Sequence, residues 1–307
     1  MHSVSSRPRR ELLPYLLVGP VVICELVVHV LPTLVGLFLS LHHVNQFNLR
    51  DWTRSEYVGT ENYRTALDPG TAVGASLWSS VGVTVAFTVV VVWLCWVIGM
   101  FAAVILSLPF RGRNFFRAFF LIPFALPAYV SGVGWRFLFT RDDGAVNHLL
   151  VDNLHVVQDR PFWLVGGNAF WATVIVSVWR LWPFVCLMLL AALTTVPRER
   201  YEAAAMNGAR PWAQFWHVTL PGIRRINAVV ILVITLWSFN EFAVPYVLFG
   251  GAPPESATLL STLVYREAFG VFNVGVAAAT NISSAVLLVG LGLLWMRRQV
   301  VSEEVVR

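Results

Sequence analysis

Few side chains in this sequence can do chemistry, and most of those sit inside apolar runs. Glu25 and His29 are four residues apart, so on a helix they share one face. The simplest reading is an intrahelical pair turned toward a helical bundle; a proton relay is the sharper alternative. Arg180 and Glu241 lie in two further apolar runs. A charge there needs a partner or a wet cavity, so the two either pair between helices or line a polar passage. His42 and His43 lack a third ligand nearby, which favours an interfacial position over a metal site. Cys24, Cys95 and Cys186 have no CxxC spacing and read as small packing residues. No Ser/His/Asp, HExxH or paired-carboxylate arrangement points to an enzyme. All 22 basic residues are arginine. A Walker A phosphate loop needs a lysine, so this chain is not expected to hold ATP, a catalytic residue or a metal.

The elements that must position these residues are membrane helices. Hydrophobic residues make up 57% of the 307 and charged ones 13%, about half the share of ~25% usual in soluble domains. The net charge of +5 does not imply nucleic acid, because the arginines lie between apolar runs and not on one polar domain. A helix needs about 20 apolar residues to cross a hydrocarbon core of ~30 Å. Six segments qualify: residues 12–41, 77–108, 115–140, 168–194, 225–249 and 273–296. The first is too long for a signal-peptide core and reads as a retained span. Arginines 7, 9, 10, 111, 113, 117, 198, 200, 210, 224, 225, 297, 298 and 307 fall on one side of this arrangement, whereas the opposite loops hold most of the acids. The positive-inside rule then places both termini in the cytoplasm. The expected fold is an all-α integral membrane protein with six transmembrane helices in a single domain over 1–307. Trp52, Trp78, Trp135, Trp163, Trp171 and Trp295 fall near membrane edges, as an aromatic belt does.

The longest arginine-bearing link, 196–222, joins spans 4 and 5. Pro197 to Ala205 can form a helix with Glu199 and Glu202 near its positive end. Gly208 can end it in a left-handed conformation. Pro211 can start a second short helix, with Phe215, Val218 and Leu220 as apolar contacts. The result is a helix–turn–helix along the inner membrane face. It is either a plain linker or a docking ridge for a cytoplasmic partner.

This segment resembles the "EAA" loop of ABC importer permeases: Glu202-Ala203-Ala204, three residues, Gly208, Ala209, then Phe215 and a closing Leu220-Pro221. Asn207 stands where aspartate is commonest, which removes a charge but keeps a turn-forming side chain. Further matches run in order along nearly the whole chain: Ile122-Pro123 and Pro127; Val178-Trp179-Arg180 and Pro183-Phe184; Phe239-Asn240-Glu241-Phe242; Gly250-Gly251 and Pro253. Together they are similar to the carbohydrate-uptake, maltose-type permease family. The resemblance implies a multi-pass bacterial plasma-membrane subunit whose link 196–222 is a cytoplasmic coupling helix seated in an ATPase. It implies a second homologous permease, a dimer of ATP-binding subunits that carry the ATP and Mg, an extracytoplasmic substrate-binding protein, and transport by alternating access. Carried over position by position, the solute-lining residues are Ser177, Arg180, Phe184, Ser238, Asn240, Glu241 and Asn281. Helix–helix hydrogen bonding is the competing role for Asn281, Ser283 and Ser284. The solute stays open among oligosaccharides, monosaccharides and glycerol-phosphate compounds. A stand-alone secondary transporter or channel is the alternative, but no inverted repeat or ion-coupling site supports it.

Overall fold

A computed structural model describes residues 9–304. Arg7 and Arg307 lie outside the described residues, as do the side chains of Arg9, Arg10, Trp295, Arg297 and Arg298. Helices dominate, and the described residues contain no strand beyond one isolated bridge, His42 to Tyr57.

Helix α1 (Arg9–Glu25) passes through a wide π turn into α2 (Leu31–Ser40). After a short α3 (Glu61–Leu67) comes α4 (Ala72–Ser107), which Thr71 caps by accepting the Gly74 N–H at 2.9 Å. At 1.5 Å per residue its 36 residues reach about 54 Å, more than the hydrocarbon core requires. α5 (Arg113–Ala125) and α6 (Ala128–Leu138) follow, then a short α7 (Ala145–Asn147) and the long α8 (Asn168–Leu193). α9 (Arg198–Met206) and α10 (Pro211–Gln214) precede α11 (Leu220–Phe239), α12 (Ala243–Leu248), α13 (Leu260–Tyr265) and α14 (Val274–Glu304). Among the described residues four helical stretches are long and apolar enough to cross a membrane, and the bent pair α5–α6 would make five.

The centre of the molecule is the α4–α8 pair, with α11 and α5 packed on it. Its core holds Phe87, Val91, Cys95, Leu181, Val185, Leu189, Ile223 and Ile234, all essentially buried. Apolar lipid gives helices no hydrophobic reason to associate, so close backbone approach at small residues matters most. Gly99 supplies it: a Cβ there would lie 2.8 Å from Val185 Cγ1 and 3.0 Å from the Cys186 nitrogen.

Three sequence expectations need correction. The third span is not one helix over 115–140, because α5 and α6 meet at 91°. Pro127 has no N–H for the helical ladder and drives Leu126 into an extended conformation (ψ 135°). The fifth span does not run unbroken over 225–249: its helix starts at Leu220 and stops at Phe239, and α12 resumes after residues 240–242. The first span follows the expected length, but residues 20–34 are all exposed. Glu25 and His29 do pair, at 3.2 Å, yet they face away from this chain's own bundle with about two thirds of each side chain exposed. Only α2 packs inward, against α14.

Among the described residues no group of His, Cys, Asp and Glu is arranged to hold a metal. His42 instead stacks on Phe38 and bonds its carbonyl oxygen at 2.7 Å. Cys95 and Cys186 are buried packing residues without a disulfide, whereas Cys24 is exposed and does not pack within this chain. Trp135 and Trp163, expected at a membrane edge, have a packing role. They pack with Phe139 in a second core, and Trp163 donates to Asn147 Oδ1 at 2.8 Å.

Gly99→Leu should destabilise the chain by about 1–3 kcal/mol or more through overpacking of the α4–α8 seam. Gly82→Ala, whose Cβ meets nothing within 4 Å, should leave stability unchanged or raise it slightly. Unfolding in detergent, followed by denaturant titration, compares the two.

Candidate functional site

Two groups of residues stand out, one between the end of α8 and the start of α11 and one where the middle of α8 meets the end of α11. The first is the segment after α8. Pro197 is extended (ψ 137°), and α9 begins at the next residue with Glu199 in its first turn. Gly208 ends it at φ +79°, a conformation that favours glycine. The closure is a Schellman pair: Ala209 N–H donates to Ala204 O at 3.0 Å and Gly208 N–H to Ala205 O at 2.9 Å. Asn207 completes it by donating from Nδ2 to Ala203 O at 2.8 Å. Arg210 is extended, and Pro211 opens α10. The expected second short helix does not stop there. A π turn over Phe215–Thr219 carries it into α11, so Leu220 and Pro221 lie in the first turn of that helix and do not form a terminus. The wide turn falls immediately before Pro221, whose nitrogen cannot continue the ordinary ladder.

This element has two faces. Its inner face is tied to the bundle: Phe215, Val218, Leu220 and Tyr201 pack on the main core, and the Tyr201 hydroxyl lies 3.1 Å from Thr219 Oγ1. A Cβ on Gly222 would meet Val196 at 2.9 Å, so the entry and exit of the segment touch closely. The outer face exposes Glu202, Ala203, Asn207, Gly208 and Pro221, with Ala204 and Ala209 half-buried. Met206 is 90% exposed and Trp212 71%. Glu202 makes no ion pair or hydrogen bond among the described residues.

The second group lies where α11 breaks. Arg180 of α8 donates from Nη2 to Glu241 Oε2 at 2.7 Å, with side chains 18% and 6% exposed. The other carboxylate oxygen of Glu241 accepts the Val244 N–H at 3.2 Å and thereby caps α12. Its backbone oxygen accepts the Ser261 hydroxyl. The sequence left open whether Arg180 and Glu241 pair; they do. Ser177 and Ser238 each precede one member of the pair by three residues, and their buried hydroxyls have no partner among the described residues. Asn240 and Asn281 come together in a cavity of about 160 Å³, lined also by Ser261 and Ser284. Phe184 does not join it but packs with Trp237 and Phe124, at centroid distances of 4.8 and 5.5 Å. Ser283 and Ser284 donate to Ala279 O and Thr280 O of their own helix, both at 2.8 Å, and not between helices. Ser261 was missed from sequence; only its place in a short helix after the α11 break brings it to Glu241.

An all-helical bundle of membrane-length helices, with a capped surface element at one end and a partly open polar group at the other, defines a multi-pass membrane transport subunit. The model of the family described as binding-protein-dependent transport system inner membrane component matches residues 96–301, and the chain belongs to that family. Relatives include the inner membrane ABC transporter permease protein YcjO of Escherichia coli K12, 32% identical over 80% of each chain. The trehalose/maltose transport system permease protein MalF of Thermococcus litoralis is 32% identical over 94% of each. The sn-glycerol-3-phosphate transport system permease protein UgpA of Pectobacterium atrosepticum is 29% identical over 95% of this chain and 96% of its own. A chain from a bacterial ABC transporter that imports alginate shares the fold, with TM-score 0.75 at 17% identity over 94% of this chain and 96% of its own. The protein is thus a translocation subunit of an ATP-driven importer and resides in the bacterial plasma membrane.

Arg180→Ala or Glu241→Ala alone should cost about 3–5 kcal/mol, because each strands a buried charge. Arg180→Met with Glu241→Gln should recover most of that loss. A double-mutant cycle by denaturant unfolding in detergent measures the coupling; additive losses would show that the pair is not energetically linked.

Proposed function

We propose that this chain forms half of the translocation pathway of an importer for a sugar or sugar-like solute. In this reading 1–307 is one transmembrane domain of six spans with both termini cytoplasmic, α5 and α6 together making the third span and α14 the sixth. A second, homologous permease supplies the other half. A dimer of separate ATP-binding subunits carries the ATP and Mg, and an extracytoplasmic binding protein delivers solute. The relatives named for trehalose/maltose and sn-glycerol-3-phosphate support a polyhydroxylated cargo.

The observation that carries the coupling assignment is the two-faced element 196–222. Its inner face is fastened to the core, while its outer ridge (Glu202, Ala203, Ala204, Asn207, Gly208, Ala209) is presented with unmet polar and apolar surface. A connector would have no use for Met206 and Trp212 held outward. The ridge seats in the ATPase, and Phe215, Leu220 and Pro221 pass its movement to α11. At the far end Ser177, Arg180, Phe184, Ser238, Asn240, Glu241 and Asn281 belong to the solute path. The unpartnered serine hydroxyls and the asparagine cleft support that assignment, since unsatisfied buried polar atoms are retained where a ligand or water completes them. Alternating access follows: closure of the ATPases moves the ridge, rocks the helices and exposes the polar group to the outside.

A tagged chain extracted in mild detergent should bring down an ATP-binding subunit; a stand-alone transporter or channel would not. Gly208→Asp removes the residue best suited to φ +79° and sets a carboxylate on the ridge. It should reduce solute-stimulated ATP hydrolysis at least tenfold in reconstituted complexes while leaving the chain folded. Undiminished coupling in that variant would remove the docking role.

A further inference from the structure

A cavity of about 470 Å³ opens between α6 and α12, at the end of the bundle opposite the coupling segment. Tyr129, Arg136, Thr140, Tyr246 and Gly250 contribute to its wall. Its volume falls in the range of ~300–1,000 Å³ usual for small-molecule sites. The helices hold it firmly: Gly132 lets Val247 approach to where a Cβ would be 2.9 Å away.

The Arg136 guanidinium is what sets this cavity apart. Four other arginines already have work. Arg160 pairs with Asp152, Arg180 with Glu241, Arg266 with Glu267, and Arg141 lies over the Phe162 ring. No ion pair or hydrogen bond engages the Arg136 side chain among the described residues. Its position is nevertheless specified, because Gly250, at φ +65°, leaves the space it fills. A Cβ there would lie 3.2 Å from Nη1. Gly251, at φ +90°, continues the left-handed turn and donates to Tyr246 O at 2.7 Å. Behind the cavity stands a ladder of rings. Phe242 stacks on Tyr246 at 4.9 Å, and the Tyr246 and Tyr265 hydroxyls lie 3.3 Å apart. A surface bearing a free guanidinium and tyrosine hydroxyls is unsuited to hydrocarbon and suited to a wet passage.

We propose that this cavity is an outer solute subsite selecting cargo that carries a carboxylate or phosphate on a polyhydroxylated body. The inference rests on the importer reading and names its substrate class. A guanidinium fork matches either anion in two-pronged geometry, the exposed Tyr129 ring offers a face to a sugar ring, and Thr140 and Tyr246 offer hydroxyl oxygens. Arg180 is the less suitable selector, since Glu241 already neutralises it.

The assembled complex in nanodiscs is titrated with sn-glycerol 3-phosphate, glucuronate and glucose, with tryptophan fluorescence as the readout. The wild-type chain should bind one of the two anions at least tenfold more tightly than glucose, and the preferred anion tells phosphate from carboxylate. Arg136→Gln should abolish that preference, and Arg136→Lys, which keeps the charge but not the fork, should reduce it. Equal binding of glucose and both anions to wild type overturns the proposal, as does a full preference retained in whichever variant assembles by size-exclusion chromatography. An isolated chain that never recruits an ATP-binding subunit would instead count against the importer reading.

Discussion

The ion pair between Arg180 and Glu241 is the constraint from which the far half of the molecule is organised. A carboxylate at that depth is tolerable only when every lone pair is answered. The Glu241 carboxylate is met by a guanidinium from α8 and by the first turn of α12, and the Ser261 hydroxyl from α13 satisfies its backbone oxygen. The break in α11 exists because of that arrangement. Without the interruption at 240–242 the carboxylate could not cap a second helix. Interrupted backbone of this kind is admitted in membranes where protein or a wet cavity satisfies it, and here both lie close by.

Much of this was legible in the sequence, for identifiable reasons. Apolar length gave α4 and α8 to within a few residues, since hydrocarbon thickness imposes a simple rule. Gly208 announced a left-handed helix end, and the Schellman bonds are there. Less was legible where two prolines compete with a long apolar run. Composition favours one helix over 115–140, and only the local geometry of Leu126-Pro127 turns it by 91°. The inward orientation expected of Glu25 and His29 assumed that a polar pair must find shelter in its own chain, but shelter from a neighbouring subunit satisfies the same physics. Ser261 and Arg136 were invisible as site residues because their significance lies in what a later helix brings beside them. Spacing along the chain does not encode that.

The two ends of the molecule are built on different principles. The segment 196–222 is small, capped and exposed, and most of its precision comes from backbone hydrogen bonds that tolerate a range of side chains. The polar group near the α11 break depends on particular side chains: a guanidinium, a carboxylate and two asparagines. The two groups draw on separate residues, so either can vary while the other is kept.

The absence of a stop between α10 and α11 has a mechanical meaning. Residues 211–239 form one rod, bent into its wide turn at Phe215–Thr219 but nowhere interrupted. At 1.5 Å per residue it is about 43 Å long, so each degree of tilt at the surface end sweeps the other end through about 0.75 Å. A few degrees of rotation are enough to move the floor beneath Asn240 by more than the width of a hydrogen bond. The chain thus holds a lever whose short arm is residues 211–219 and whose long arm is α11.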